Sequence, residues 1–152
     1  MLPNTVERVP LNTSEELNQR IARETNRRVN FYAANPIGIE RRLRELDEEW
    51  DIERVLEANA ASIAFAGTVL AATVHKRWLM LPVLVSGFLF QHSVQGWCPP
   101  VPILRRMGYR TAREIDTERI ALKALRGDFG KIGPADADRD SAASHALQAA
   151  RM

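Results

Sequence analysis

Cys98 is the residue whose type and setting suggest chemistry. It is the only thiol in the 152-residue chain, which excludes an internal disulfide and any metal site that needs two thiolates from one chain. The cations that follow it within fifteen residues are Arg105, Arg106, Arg110 and Arg113. Cations favour the reactive thiolate, whereas the partial negative charge at a helix C-terminus disfavours it. Cys98 is therefore either a reactive thiol or a small packing residue at a helix end.

Polar side chains precede this thiol at Gln91, His92 and Gln95. His92 lies six residues before Cys98, nearly two helical turns away. This setting favours interfacial or interhelical hydrogen bonding over metal ligation. The sequence has no paired carboxylates in its apolar region, no Ser/His/Asp set and no glycine-rich phosphate loop. It therefore predicts a non-enzymatic protein without a metal or another cofactor.

The chain around the thiol is almost free of charge. Between residues 58 and 104 only Lys76 and Arg77 are ionised, and they separate two uncharged segments of 17 residues each, 58–74 and 78–94. As a helix each segment is about 25 Å long, near the lower limit for a bilayer core of roughly 30 Å. Both are apolar all round, and a chain of this length has little protein to bury them. We expect a transmembrane helical hairpin; the alternative is a buried hairpin in a soluble helical domain.

The two segments differ in how well each could insert alone. The second contains nine Leu, Ile, Phe or Val residues and the first only five. Because these residues drive insertion, the first segment should depend on packing. Small residues allow helix backbones to approach closely. We expect contact with the second helix or another protomer through Ala60, Ala64, Gly67, Thr68 and Ala71.

Helices are also predicted on both sides of the hairpin, so the fold class is all-α. A capping box at Thr13–Glu16 should start a helix that ends near Ala33, after a flexible lead-in over residues 1–12. An amphipathic helix follows, either on the membrane surface or packed on the first helix, with Ile39, Leu43, Leu46 and Trp50 as its apolar seam. The predicted regions are an N-terminal cytoplasmic helical region at 1–50, the hairpin at 51–108, a cytoplasmic helix at 109–127 and a disordered tail at 128–152.

Local signals mark several ends of these elements. Asp51 is expected to cap the helix that enters the membrane. Three prolines within residues 99–102 predict an extended exit from the second segment. A second capping box at Thr111–Glu114 should open the last helix, which Gly127 should close.

Basic residues predict the orientation of the hairpin. Four arginines precede it (Arg41, Arg42, Arg44, Arg54), four follow it (Arg105, Arg106, Arg110, Arg113), and two basic residues lie in the turn. The positive-inside rule therefore predicts that both termini are cytoplasmic. The four later arginines are expected to contact lipid headgroups. Cys98 would then lie on the reducing side as a free thiol.

The motif Gly96-Trp97-Cys98-Pro99 suggests a family. Together with Asp51, Arg54, Gly67 and the short basic turn, it makes residues 51–108 resemble the YgaP-like transmembrane domain, a bacterial two-helix inner-membrane module of unknown function. In one architecture that module anchors a rhodanese. The resemblance implies residence in the bacterial inner membrane. The remaining regions lack a second cysteine and do not resemble a rhodanese, so it does not imply sulfurtransferase activity.

These patterns favour one function and leave one alternative. The favoured function is a membrane-anchored interaction or assembly module whose partners are the lipid bilayer and either a second copy or another membrane protein. The alternative is a thiol-dependent sulfur or redox carrier that acts through Cys98. Nucleic acid is not an expected partner, because 21 basic residues are interleaved with 19 acidic ones and the net charge is only +2.

Overall fold

A computed structural model describes Asn4 and residues 6–130 of the chain. Every regular element in this part is helical, so the all-α prediction is confirmed. Short 3-10 segments lie at Pro36–Gly38 and Lys76–Leu79. The α-helices are α1 (Arg8–Leu11), α2 (Glu15–Ala34), α3 (Ile39–Glu48), α4 (Ile52–Thr73), α5 (Met80–Gln95), α6 (Val101–Met107) and α7 (Ala112–Arg126).

The chain divides into two compact units. The first contains the described residues up to Arg23 together with Glu49–Ile115. The second contains Glu24–Glu48 and the described residues from Asp116 onward. The candidate site lies wholly within the first unit.

Helices α4 and α5 form an antiparallel pair in the first unit. Gly67, in the middle of α4, lies against Leu81 and Pro82 at the start of α5, and Glu53 at the start of α4 lies near His92 at the end of α5. The backbone N–H of Arg54 donates to Asp51 Oδ1 over 2.7 Å, which confirms the predicted N-cap. In the turn, His75 Nδ1 accepts from the N–H of Arg77 over 3.0 Å.

One helical stretch in the described part of the chain, Pro36–Thr73, is long and apolar enough to cross a membrane. It includes α4, which has 22 residues and is therefore about 33 Å long. The second apolar segment is divided between a 3-10 turn and α5, which has 16 residues. Length and composition thus support one candidate span rather than the two that were expected.

Gly67 is a point of close contact between α4 and α5. A Cβ atom at this position would lie 2.8 Å from Pro82 Cδ and 3.1 Å from Leu81 Cβ. The neighbouring small residues Ala60, Ala64 and Ala71 are half-buried. Thr68 is exposed, and its hydroxyl donates to the carbonyl of Ala64. The small face therefore serves contact with α5 at Gly67, whereas Thr68 lies outside that contact.

Substitutions at Gly67 and Val69 should distinguish the face of α4 that contacts α5 from its exposed face. Gly67→Ile is expected to destabilise the α4–α5 pair by about 3 kcal/mol or more, because a branched side chain must push Leu81 and Pro82 away. Val69→Ile should change stability by less than about 0.5 kcal/mol, since Val69 is 43% exposed. Thermal unfolding of the purified protein in detergent, followed by circular dichroism, measures both. Equal shifts would place the helix contact elsewhere.

The core of the first unit contains a residue from the expected lead-in. Val9 in α1 is 1% exposed and packs with Ile52, Leu56, Cys98 and Val101. The prediction of a flexible lead-in is therefore wrong for Arg8–Leu11, because burying an apolar side chain orders this turn. The Thr13 capping box is wrong as well. Helix α2 begins one residue later than predicted, because the carbonyl of Ser14 accepts its first backbone bonds, from Leu17 and Asn18. The Thr13 hydroxyl instead donates to the carbonyl of Val9.

The exit from α5 also differs from the prediction. Residues 101–107 form α6, with Pro100 before the helix and Pro102 in its first turn. The extended exit is wrong because proline disrupts only helix interiors; in a first turn its missing N–H needs no partner. The second capping box is confirmed. The Thr111 N–H donates to Glu114 Oε2 over 2.8 Å, and the Glu114 N–H donates to Thr111 Oγ1 over 3.3 Å.

The second unit is built on α3 and the adjoining parts of α2 and α7. Three residues of the predicted α3 seam, Ile39, Leu43 and Leu46, are buried. Glu118 is fully buried and accepts hydrogen bonds from Arg28 at 3.0 Å and Arg42 at 2.8 Å. Helix α7 ends before Gly127, which has a positive φ of 89°, as predicted.

Two further predictions concern residues at the edges of these elements. Trp50 was expected to continue the α3 seam, but it lies beyond the end of α3 and is 44% exposed. The Arg54 guanidinium lies 4.2 Å from the centre of its ring, a cation–π contact. From residue 131 onward, the tail that was predicted to be disordered lies outside the described part of the chain.

Candidate functional site

Cys98 is buried where α5 and α6 meet. Helix α5 ends at Gln95, and Gly96 caps it with a φ of 76°. The chain then turns through Trp97 and Cys98 toward α6. Cys98 is 4% exposed, Trp97 is 37% exposed, and Pro99 is exposed. The motif residues thus form a turn whose thiol points into the core rather than into solvent.

Helix α1 packs against this turn. A Cβ atom on Gly96 would lie 2.4 Å from the backbone carbonyl of Arg8, so only glycine allows the approach. Asn12 donates to the carbonyl of Gln95 over 2.8 Å, and Arg8 donates to the carbonyl of Ser93 over 3.0 Å. These contacts hold Arg8 beside the C-terminal end of α5, where it also reaches Glu53.

His92 joins the thiol to a charged pair. Its side chain is 3% exposed, and its Nε2 lies 3.5 Å from Glu53 Oε2. The ring also interacts electrostatically with the Cys98 thiol. Among the described residues neither ring nitrogen has a hydrogen-bond partner of good geometry, so both contacts are electrostatic approaches rather than well-aligned bonds. Cys98, His92 and Glu53 therefore form a thiol–imidazole–carboxylate series in which the thiol and the imidazole are buried and the carboxylate is half-buried.

Arg8 forms an ion pair with Glu53, the last residue of this series. Its Nη2 donates to Glu53 Oε2 over 2.7 Å. The Glu53 carboxylate therefore lies between the guanidinium of Arg8 and the imidazole of His92. From this position the carboxylate can orient the imidazole of His92.

An apolar cavity opens beside Cys98. Its volume is about 430 Å³, which falls within the range of small-molecule sites, roughly 300–1,000 Å³. Cys98 and Asn59 lie on its wall, and the Asn59 amide donates to the backbone carbonyl of Val55. The other lining side chains include Leu56 and Ile63 of α4, Phe88 and Leu89 of α5, and Ile103 and Leu104 of α6. The thiol therefore faces a space suited to apolar groups.

Two of the expected headgroup arginines are buried. Arg105 is 1% exposed; its Nη1 and Nη2 donate to both carboxylate oxygens of Glu114, at 2.7 and 2.8 Å. Arg110 is 3% exposed and donates to both oxygens of Glu49. Because carboxylates inside the protein occupy them, neither guanidinium is available to lipid headgroups. Arg106 and Arg113 are exposed.

The Arg105–Glu114 pair should give stability a specific pH dependence. Burial would raise the pKa of Glu114, but the hydrogen bonds from Arg105 and Thr111 outweigh it and lower that pKa. A lowered folded-state pKa contributes stability that is present above the unfolded value of about 4.3 and lost as pH falls through the folded value. Thermal midpoints of Glu114→Gln should therefore differ most from wild type near neutral pH and converge in acid. A difference independent of pH would contradict this.

The site contains more than the sequence indicated. The sequence grouped His92 with Gln91 and Gln95, whereas the structure brings it to Glu53 and Cys98. The hairpin register could have indicated Glu53, since residues before the first segment face the end of the second. No local signal indicated Arg8, which lies 85 positions before its acceptor Ser93.

Comparisons with protein-family models, curated proteins and solved structures find no match to this chain. The resemblance to the YgaP-like domain therefore rests on the motif residues alone and stays a prediction. Within the described residues no group of three or more His, Cys, Asp or Glu side chains is arranged to hold a metal ion. The candidate site is accordingly a thiol site beside an apolar cavity.

Proposed function

We propose that this protein is a small integral membrane protein, with α4 and α5 as a membrane-embedded hairpin and both termini in the bacterial cytoplasm. The observation that carries the proposal is the exposure of large apolar side chains on both helices. Phe65 of α4 is 73% exposed, and Val83 and Phe90 of α5 are 63% and 72% exposed. Removing one such side chain from water contributes roughly 1.5–3 kcal/mol, so water is a poor environment for this pair. A lipid environment would cover all these side chains at once.

The role proposed for the anchored protein is interaction or assembly. The Gly67 face of α4 already packs on α5, so contacts with a second copy or another membrane protein would use the remaining faces. The exposed faces include Thr68 and Phe65 of α4. Helices outside the hairpin supply charged, water-compatible surface on the cytoplasmic side.

Membrane fractionation tests the anchor. The wild-type protein, expressed in bacterial cells, should remain in the membrane pellet after extraction with alkaline carbonate. Leu84→Arg should lower the pelleted fraction, because an Arg at the centre of a membrane helix costs about 2.5–3.5 kcal/mol on the insertion scale. Ile120→Arg is the control: Ile120 is 56% exposed, similar to Leu84 at 52%, but lies in α7. Release of the wild-type protein by carbonate would refute the anchor.

Labelling of intact cells tests the orientation. In a Cys98→Ser background, a thiol introduced at Lys76 should react with a membrane-impermeant maleimide from outside, because Lys76 lies in the turn between the segments. A thiol introduced at Thr13 should react only after the cells are opened. Reaction of the Thr13 probe in intact cells would reverse the orientation.

A second candidate function is a thiol carrier that acts through Cys98. The electrostatic interaction of Cys98 with the buried imidazole of His92 favours it, because an adjacent base is one way of activating a cysteine. For sulfur cargo, incubation with inorganic polysulfide should form a persulfide on the wild-type protein. Cys98→Ser should assemble normally but take up no sulfur. Normal assembly together with a thiol that accepts no cargo would leave Cys98 as a packing residue.

A further inference from the structure

We propose that Cys98 is an S-acylation site: it accepts a long-chain acyl group from an acyl thioester and holds the chain in the apolar cavity between α4, α5 and α6. The inference rests on the thiol-carrier candidate, names the class of its cargo, and uses the membrane anchor for access to acyl chains.

His92 is the first observation that supports an acyl-transfer site. A buried polar side chain normally has a hydrogen-bond partner, because an unpaired one loses its interactions with water without replacement. His92 is 97% buried, given its 3% exposure, and neither ring nitrogen has a well-aligned partner among the described residues. Its Nε2 lies 3.5 Å from the Glu53 carboxylate, and its ring interacts electrostatically with the Cys98 thiol. An imidazole in this position can take the thiol proton while the carboxylate stabilises the imidazolium.

The cavity is the second observation, and it selects the cargo. Besides Cys98, the polar residue on its wall is Asn59, whose amide donates to Val55. A persulfide or a sulfenate would add only one or two polar atoms at the thiol and would leave the rest of this apolar space unfilled. A hydrocarbon chain instead gains from burial there. Two of the three helices that form its walls, α4 and α5, also expose apolar side chains to the proposed bilayer, so a lipid chain can reach the thiol without crossing water.

The reaction is a thioester exchange without a change of oxidation state. The Cys98 sulfur attacks the carbonyl carbon of the donor thioester, and His92 takes the thiol proton. The carbon–sulfur bond of the donor breaks as the new carbon–sulfur bond to Cys98 forms. The proton passes from His92 to the leaving thiolate, which departs as a free thiol. His92 is the catalytic residue of this step, and Glu53 is a positioning residue.

The test uses the full-length protein in phosphatidylcholine nanodiscs and palmitoyl-coenzyme A that carries a terminal alkyne. After coupling to a fluorophore, the wild-type protein should carry a label that neutral hydroxylamine releases, as expected of a thioester. Cys98→Ser should carry none. His92→Gln should label about 100-fold more slowly, the lower end of general-base effects. His75→Gln is the control, because His75 is exposed and lies in the turn.

A second pair of variants tests the cavity. Ile103 and Met107 are exposed to similar extents on α6, 60% and 67%, but only Ile103 lines the cavity. Ile103→Trp should slow labelling by the long-chain donor but not acetylation by acetyl-coenzyme A. Met107→Trp should change neither rate. The wild-type protein should prefer the long-chain donor by about tenfold or more, since each buried methylene adds to binding.

The outcomes separate this inference from the functions on which it rests. Protein that enters nanodiscs but acquires no hydroxylamine-sensitive label overturns acylation and leaves the anchor intact. A persulfide on Cys98 without acyl transfer supports the carrier but overturns its acyl cargo. Labelling that is equal for His92→Gln and wild type, or equal for acetyl and palmitoyl donors, shows uncatalysed modification and overturns the site. Protein that does not enter nanodiscs refutes the anchor itself.

Discussion

Replacing Arg105 with Met is expected to lower the free energy of unfolding by about 3 kcal/mol. Removing one partner of a buried ion pair typically costs 3–5 kcal/mol, because the other charge stays buried without compensation. The lower end applies here because the remaining carboxylate, on Glu114, keeps 24% of its side-chain exposure. The variant also removes the donor to Asn18 Oδ1 and to the carbonyl of Tyr109. Thermal unfolding in detergent, followed by circular dichroism, should show a midpoint lower by about 10 °C.

The neighbouring residue provides the matched control. Arg106 follows Arg105 on α6 but is exposed, so Arg106→Met should change stability by less than about 0.5 kcal/mol. The double variant Arg105→Met/Glu114→Gln should be more stable than the sum of the single effects predicts, because it leaves no unpaired buried charge. Similar losses for Arg105→Met and Arg106→Met would show that burial of the Arg105 pair does not determine its contribution.

Gly96→Ala is expected to lower the free energy of unfolding by about 3 kcal/mol, as much as Arg105→Met. Its φ of 76° costs an L-residue about 1–2 kcal/mol. The added methyl group would also lie 2.4 Å from the backbone carbonyl of Arg8, so α1 must shift, at an overpacking cost of about 1–3 kcal/mol. Because α1 carries Arg8 to Glu53, the shift should also disturb the carboxylate that orients His92. The thermal midpoint measures the first effect and the acylation rate the second.

Gly108 allows the two contributions to be separated. It ends α6 with a φ of 95°, but a Cβ atom there would meet nothing within 4 Å. Gly108→Ala should therefore cost only the backbone contribution, about 1 kcal/mol. Equal losses at Gly96 and Gly108 would mean that α1 moves aside freely and that its contact with the α5 end contributes little to stability.

Features that depend on neighbours a few residues apart could be predicted from the sequence. The Asp51 cap and the Thr111–Glu114 capping box join residues three positions apart, and Gly127 ends a helix through its own backbone conformation. The close approach at Gly67 was also expected, because a small residue in an apolar helix allows backbone contact. The apolar segments predicted an all-α chain with apolar helices, since hydrophobicity over many residues is a property of the local chain.

Local rules were insufficient where a residue had two compatible uses. A proline can end a helix or stand at its start. Here Pro100 directly precedes α6 and Pro102 lies in its first turn. Thr13 could cap α2, but in the fold the carbonyl of Ser14 accepts the first backbone bonds of this helix and the Thr13 hydroxyl donates to the carbonyl of Val9. Thr and Ser are both suited to the cap position, so the local sequence does not decide between them.

The chemistry of the site was decided only by the tertiary structure. The sequence identified the thiol, its motif and the arginines around it, but not which charges meet. Arg105 and Arg110 could equally have faced lipid, and they are buried because Glu114 and Glu49 lie within hydrogen-bonding distance in the fold. Glu53, His92 and Cys98 come together because α4 and α5 are antiparallel and α6 returns the chain to their ends. Side chains far apart in sequence can interact only after packing has brought their helices together, so no sequence spacing records their distance.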